Sequence, residues 1–307
     1  MRMKFRDYLT YQISAQEIIH HSYFVDFADF YYHGMIGAEG DWWAEAVSRN
    51  SKITEIIDKI EEMNAVLYCY NKTASLPHCF GLFKSHPAKR FVIISSRTDK
   101  SITEKLAKSV PENTTLFAYN VQYKHPRVIA LPHGVKYGRY EVDSLELVKI
   151  PNDFDFNKRE LLYCNFSITN HRGYKLRNKI YKRLKAKNWI SFAHMGAFNK
   201  YSISQTEYYK HLLQHKFVLC PSGYGIDTYR VWEALYLKAI PVITLRDRQP
   251  PQHWNYFSDL PIFVLDDYTK ISKSFLEDKY EEMLDQEINI EKLTMSFWKK
   301  LISKLIS

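Results

Sequence analysis

The stretch from His215 to Ile243, HKFVLCPSGYGIDTYRVWEALYLKAIPVI, limits the fold of this chain more than any other. Phe217–Cys220 is a continuous apolar run, suited to a parallel strand buried on both faces. Pro221 stops it, and Ser222-Gly223-Tyr224-Gly225 supplies two residues without a Cβ, so backbone can approach a ligand closely. Asp227 or Thr228 can cap the helix that follows. Its first turn offers unpaired N–H groups and a partial positive charge, both suited to a diphosphate. Arg230 falls in that turn, where a guanidinium can hold phosphate oxygens in a forked geometry. Glu233 lies three residues on and on nearly the same face. A carboxylate there is better used to accept ribose hydroxyls than to meet phosphate. The same two residues could instead form a surface ion pair of little consequence.

Strands and helices alternate on both sides of this unit. ITEIIDKIEEM (Ile53–Met63) predicts an amphipathic helix. Ala65–Tyr70, Arg90–Ser96, Thr115–Tyr119 and Arg127–Leu131 predict short strands, with a helix at Ser101–Lys108. The polar stretch Tyr137–Asp155, broken by Pro151, predicts a junction. A second series follows: strand Glu160–Phe166, a basic helix, strand Trp189–Phe192, helix Thr206–His215, the central unit and strand Ile262–Leu265. This pattern predicts an α/β fold with two Rossmann-like doubly wound domains facing a central cleft, and ligands beyond the carboxyl ends of the strands. The expected division is 1–155, 156–290, and a C-terminal amphipathic helix at 291–307 packing back across the domains.

A net charge of +9 favours anionic partners. The densest basic run, Lys175–Lys187 (KLRNKIYKRLKAK), places Leu176, Ile180 and Leu184 at helical spacing, so its charges belong to a wet helix face. No nucleic-acid module accompanies it, and no nucleic-acid partner is expected. An RNA-binding protein would instead show steeply salt-dependent binding. The 23 Tyr, 18 Phe and 6 Trp can stack on sugars or fill a core. Cys69, Cys79, Cys164 and Cys220 lack metal-ligand spacing, which argues against structural zinc and leaves disulfides open. The N-terminus lacks an apolar signal core and no run of 18 apolar residues occurs, so a cytoplasmic protein is expected. The basic, amphipathic KLTMSFWKKLISKLIS end permits packing on the fold or peripheral contact with anionic membrane.

CPSGYGIDTYRVWEALYLKAIPVI resembles the C-terminal signature of exostosin-like glycosyltransferases, glycosyltransferase family 47. The shared pattern is a strand ending in Cys-Pro, a Gly-x-Gly-x-Asp turn, an Arg-x-x-Glu-Ala-Leu helix and a closing Ile-Pro-Val. LLYCNFSITNHRGYKLR (Leu161–Arg177) resembles it more weakly, and Ser95–Val135 looks like the acceptor-side half of related proteins. Lys238 departs from the pattern, standing where a small residue, often Gly, precedes the Ile-Pro-Val strand. The resemblance implies a GT-B-type fold with the donor nucleotide sugar on the C-terminal domain. It also implies inversion at the anomeric carbon, and diphosphate charge handled by side chains and helix ends rather than a metal. No cofactor is expected beyond the donor. Its contacts would be Ser222, Gly223, Tyr224, Gly225, Asp227, Thr228, Arg230 and Glu233, joined by Asn170 and Arg177.

Inversion in one displacement needs a base near the acceptor hydroxyl, supplied by the N-terminal half. Asp99, at the carboxyl end of a strand, is the first candidate, though it could simply cap the helix at Ser101–Lys108. His133 in the Pro-His-Gly turn is the second. Asp26, Asp29 and His33, interleaved with aromatics, form a third group. Asp153 and Asp155 make a D-x-D, but within the junction, where a solvated acidic turn is expected. The expected activity is sugar transfer from a nucleotide-diphosphate donor to a hydroxyl of a glycan or glycoconjugate. A binding module of the same fold without turnover is the competing reading.

Overall fold

Short runs, most of them rich in β-branched and aromatic residues, form the strands of a computed structural model. It describes residues 1–20, 23–32, 56, 64–69, 75–96, 98–136, 150–168, 174–193, 203–245 and 252–307. The strands are β1 (Arg2–Lys4), β2 (Phe30–Tyr32), β3 (Ala65–Cys69), β4 (Phe91–Ser95), β5 (Thr114–Ala118) and β6 (Val128–Ala130). They continue as β7 (Glu160–Cys164), β8 (Ile190–Phe192), β9 (His215–Pro221), β10 (Ile240–Thr244), β11 (Phe263–Leu265) and β12 (Glu287–Asn289).

Two parallel sheets of five strands result. The first follows chain order from β2 to β6, and the second has the order β11-β10-β9-β7-β8. β3, β4 and β10 are buried along their whole length, and β9 everywhere except the partly exposed Lys216, as expected for strands covered on both faces. Pro221 ends β9 but still sits in register opposite Thr244. The loops after β5 and β6 bond to the turn after β9, so the carboxyl edges of the two sheets face each other. This is the α/β, GT-B-type architecture of two facing parallel sheets expected from the sequence, except that the first sheet follows chain order without the reversal of a doubly wound domain.

The grouping of residues 1–155 in one unit does not hold at its start. β1 pairs antiparallel with β12, the Tyr8 hydroxyl donates to the Leu235 carbonyl, and the Ile19 N–H donates to the Tyr236 hydroxyl. These contacts carry the first residues onto the second half of the chain. Conversely, the helix Met295–Ile306 buries Met295, Trp298 and Ile302 and packs against β4. Asn64 donates to its last carbonyl. Phe297, Leu301 and Leu305 also pack on the core, while Lys299, Lys300 and Lys304 are exposed. Among the described residues no helix is long and apolar enough to cross a membrane.

The basic stretch forms a helix at Tyr174–Leu184, with Ile180 and Leu184 buried and Lys175, Lys179, Lys182 and Arg183 exposed. All four cysteines are free and buried. Of the helix expected at Ile53–Met63, only Ile56 lies within the described residues.

The helix Tyr229–Tyr236 ends in a left-handed exit. The Lys238 N–H donates to Leu235 and the Ala239 N–H to Ala234, the paired bonds that usually place glycine at this position. Lys238 adopts φ +64 there. Its ammonium lies 3.6 Å from the centroid of the Tyr8 ring.

Candidate functional site

In the second sheet the chain runs from β7 out to β8, then returns past β7 to β9. Strand order therefore reverses between β7 and β9, and open α/β sheets bind ligands in the crevice beyond such a point. Arg177 spans it. Its guanidinium donates to the carbonyl of Ser167 after β7 and to those of Pro221 and Ser222 at the end of β9. It is 5% exposed. A Cβ at Gly223 would stand 3.0 Å from Arg177 Nη2, so that glycine makes room for the arginine. Arg177 thus anchors the two crevice loops. Asn170, its expected companion, lies outside the described residues.

The second glycine is spent differently from the expectation. A Cβ at Gly225 would meet Asn120 Oδ1 at 2.7 Å. The space serves the opposing domain, because Asn120 accepts from the backbone N–H of Ile226 and of Asp227.

The Asp227 side chain is turned to protein partners. One carboxylate oxygen accepts from Thr228 N, and the other from His133 N, Trp232 Nε1 and His253 Nε2. With the side chain fully enclosed, it works as an interdomain hub. Thr228 is the N-cap by backbone position but makes no side-chain cap. Its Oγ1 is buried without a hydrogen-bond partner.

Arg230 stands in the first helical turn, partly exposed, with its Nε enclosed and unpartnered. Its charge acts on Tyr163, Tyr208, Cys220 and Glu233. Glu233 is 4% exposed and accepts the Tyr208 hydroxyl at 2.9 Å. Burial raises its carboxyl above the ordinary range, against the Tyr208 hydroxyl, the charge of Arg230 and the backbone N–H of Lys136. A surface ion pair is therefore excluded. The Tyr208 hydroxyl and the backbone N–H of Lys136 already share this carboxylate. Ser222 donates weakly to the Thr244 carbonyl, and Tyr224 is partly exposed at the tip of the turn.

On the opposing sheet, Asp99 is exposed in the loop after β4. It does not cap the next helix, whose N-cap is Thr103. His133 packs between Tyr119 and Tyr229, with ring centroids at 4.6 and 4.2 Å. Its Nδ1 is enclosed without a partner. Burial lowers the imidazole below the usual histidine value, opposed by the carboxylates of Asp227 and Asp99. Both candidate bases thus sit where the two sheets meet.

The third group does not gather there. Asp29 exchanges bonds with the backbone of Val66 near the start of β3, away from the carboxyl edge. Asp26 is exposed, and His33 lies outside the described residues. Asp155 caps a short turn through Asn157, which answers the D-x-D. The sequence reading missed Asn120, Tyr208 and His253, whose roles depend on partners distant in the chain. Among the described residues no three His, Cys, Asp or Glu side chains form a metal cluster.

The family model described as the RXYLT1 C-terminal domain matches residues 147–291, which include β7 through β12. Among solved structures, an alpha1,3-fucosyltransferase is similar at 13% identity and TM-score 0.44, covering 91% of this chain and 94% of that one. An alpha1,3-fucosyltransferase with GDP-fucose is similar at 12% identity and TM-score 0.39, covering 91% and 95%. A structure described as trehalose-6-phosphate from E. coli bound with UDP-2-fluoro glucose gives 12% identity and TM-score 0.44, covering 82% and 76%.

Proposed function

We propose that this chain is a glycosyltransferase moving a sugar from a nucleotide-diphosphate donor to a hydroxyl of a glycan or glycoconjugate, with inversion. The observation that carries the reading is Arg230, a cation with an enclosed, unpartnered Nε at the start of a helix beyond the carboxyl edge of the sheet. The orphaned Thr228 Oγ1 beside it is a second group awaiting a polar partner. The RXYLT1 C-terminal domain match over this half of the chain supports the same reading.

In this account the donor diphosphate lies against the helix start, held by Arg230 and by backbone N–H groups of the turn at Gly223 and Tyr224. Charge on the leaving diphosphate is then met by protein groups, without a metal ion. Glu233 holds the Tyr208 hydroxyl and keeps Arg230 in place. Asp99, the exposed carboxylate at the opposite edge, takes the proton from the acceptor hydroxyl. The acceptor oxygen bonds to the anomeric carbon as the bond from that carbon to the diphosphate breaks. His133 stays neutral and walls the cleft.

The test is a panel of UDP- and GDP-sugars scored for hydrolysis and for a rise in melting temperature. One donor class should do both. If no nucleotide sugar is hydrolysed or stabilises the protein, the proposal fails. One observation favours a second reading, a nucleotide-binding module without turnover: Glu233 and Asp227 are already bonded to protein groups. Stabilisation by a nucleotide with no hydrolysis of any donor would select it.

A further inference from the structure

Asn120 lies two residues beyond the end of β5, wholly buried, with φ +56. Asn is among the few residues that adopt this left-handed conformation at low cost. The conformation turns the carboxamide across the cleft. Its Nδ2 donates to the carbonyl of Thr98 at 2.9 Å, the residue before the candidate base Asp99. Its Oδ1 accepts from Ile226 N at 2.7 Å and from Asp227 N at 3.1 Å. Both belong to the turn that leads into Arg230. The next residue, Val121, accepts from His253 N, and His253 returns through Nε2 to Asp227.

One carboxamide therefore ties the loop carrying the acceptor-side carboxylate to the turn carrying the donor-side cation. Gly225 completes the fit, because any Cβ there would stand 2.7 Å from the same oxygen.

We propose that Asn120 is a positioning residue: it makes the acceptor-side sheet set the shape of the donor turn, so that the donor site is complete only while the two domains are docked. The proposal rests on the donor site argued above. It assigns a role to a residue outside that site, one that touches neither the sugar nor the diphosphate.

Four variants test it. Gly225→Ala pushes the carboxamide off the donor turn. Asn120→Gly keeps the left-handed backbone and removes the side chain. The double variant carries both changes. The interaction is read as a double-mutant cycle on melting temperature, and separately as the affinity of the folded protein for UDP and GDP by calorimetry.

Gly225→Ala alone should weaken the nucleoside diphosphate about tenfold, the scale of one lost hydrogen bond to backbone. In the Asn120→Gly background the alanine should cost little further affinity or stability. Asn120→Asp keeps the acceptor for Ile226 and Asp227 but loses the donation to Thr98. It should retain nucleotide affinity while slowing donor turnover about tenfold, a split that a purely structural role would not produce.

Additive effects of Gly225→Ala and Asn120→Gly on melting temperature would overturn the proposal, as would unchanged turnover in Asn120→Asp. Absence of nucleotide binding in the unmodified protein would defeat the donor-site reading instead, and the stability cycle would still report on the Asn120–Gly225 contact.

Discussion

Oδ2 of Asp227 and Nε2 of His253 lie 3.2 Å apart with both side chains wholly enclosed. The same oxygen accepts the His133 N–H from the opposing domain and the Trp232 indole N–H. Removing this carboxylate strands several buried donors at once. Asp227→Ala should therefore destabilise the protein by roughly 3–5 kcal/mol, the usual cost of breaking a buried charged cluster from one side. Urea unfolding measures it, and a loss below about 1 kcal/mol would remove Asp227 from the interdomain hub.

Gly134 has φ +70, and a Cβ there would stand 2.5 Å from the Ile19 carbonyl oxygen. That carbonyl also accepts the Val135 N–H, so it cannot move without losing a bond. Gly134→Ala should cost more than the about 1–2 kcal/mol of a left-handed alanine, because the backbone clash adds to it. The urea midpoint of this variant measures the cost, with Gly81→Ala in the helix Ser75–Lys84 as the unstrained reference. Gly81 has nothing within 4 Å of its added Cβ.

The strand, turn and helix of the central unit were legible because each depends on neighbours in the chain: an apolar run, two glycines, a cation in the first turn. The interdomain contacts were not. Asn120 meets Asp227 across 107 positions, and nothing in the local pattern around Asn120 marks it. Gly225 was visible as a residue without a side chain, but the sequence cannot tell whether a ligand or another domain fills the space. β1 escaped for a related reason, since three residues carry no periodicity and their partner lies at the opposite end of the chain. Lys238 shows the converse. Its departure from glycine was evident in sequence, yet the backbone keeps the left-handed turn and the side chain finds the Tyr8 ring.

Burial pulls the Lys238 ammonium down to about 7, against the attraction of the Tyr8 face, which favours the charged form. In the unfolded chain the same group titrates near its ordinary value. Between these values the unfolded state binds more protons, so stability rises with pH. From pH 7 to 9 the gain should be about 2 kcal/mol at one proton per molecule. Lys238→Gly should flatten that slope and fit the left-handed backbone better. An unchanged slope in the variant would place the titration elsewhere.

If Arg230 and the helix start supply the positive charge at the diphosphate, as proposed, donor turnover should survive a chelator. Activity measured with and without EDTA checks this. Complete loss restored by manganese would mean a metal-held donor. Asp99→Asn should lower transfer by about 100-fold, within the usual range for a removed general base, and should leave nucleotide affinity intact.

The most direct measurement is calorimetric titration of UDP and GDP into the unmodified protein, Arg230→Ala and Arg230→Lys. One nucleoside diphosphate should bind the unmodified protein. Alanine should weaken it about 10- to 100-fold, the scale of a lost charged hydrogen bond. Lysine should restore only part of the loss, because it keeps the charge without the fork. Equal affinity in Arg230→Ala and the unmodified protein would contradict the account.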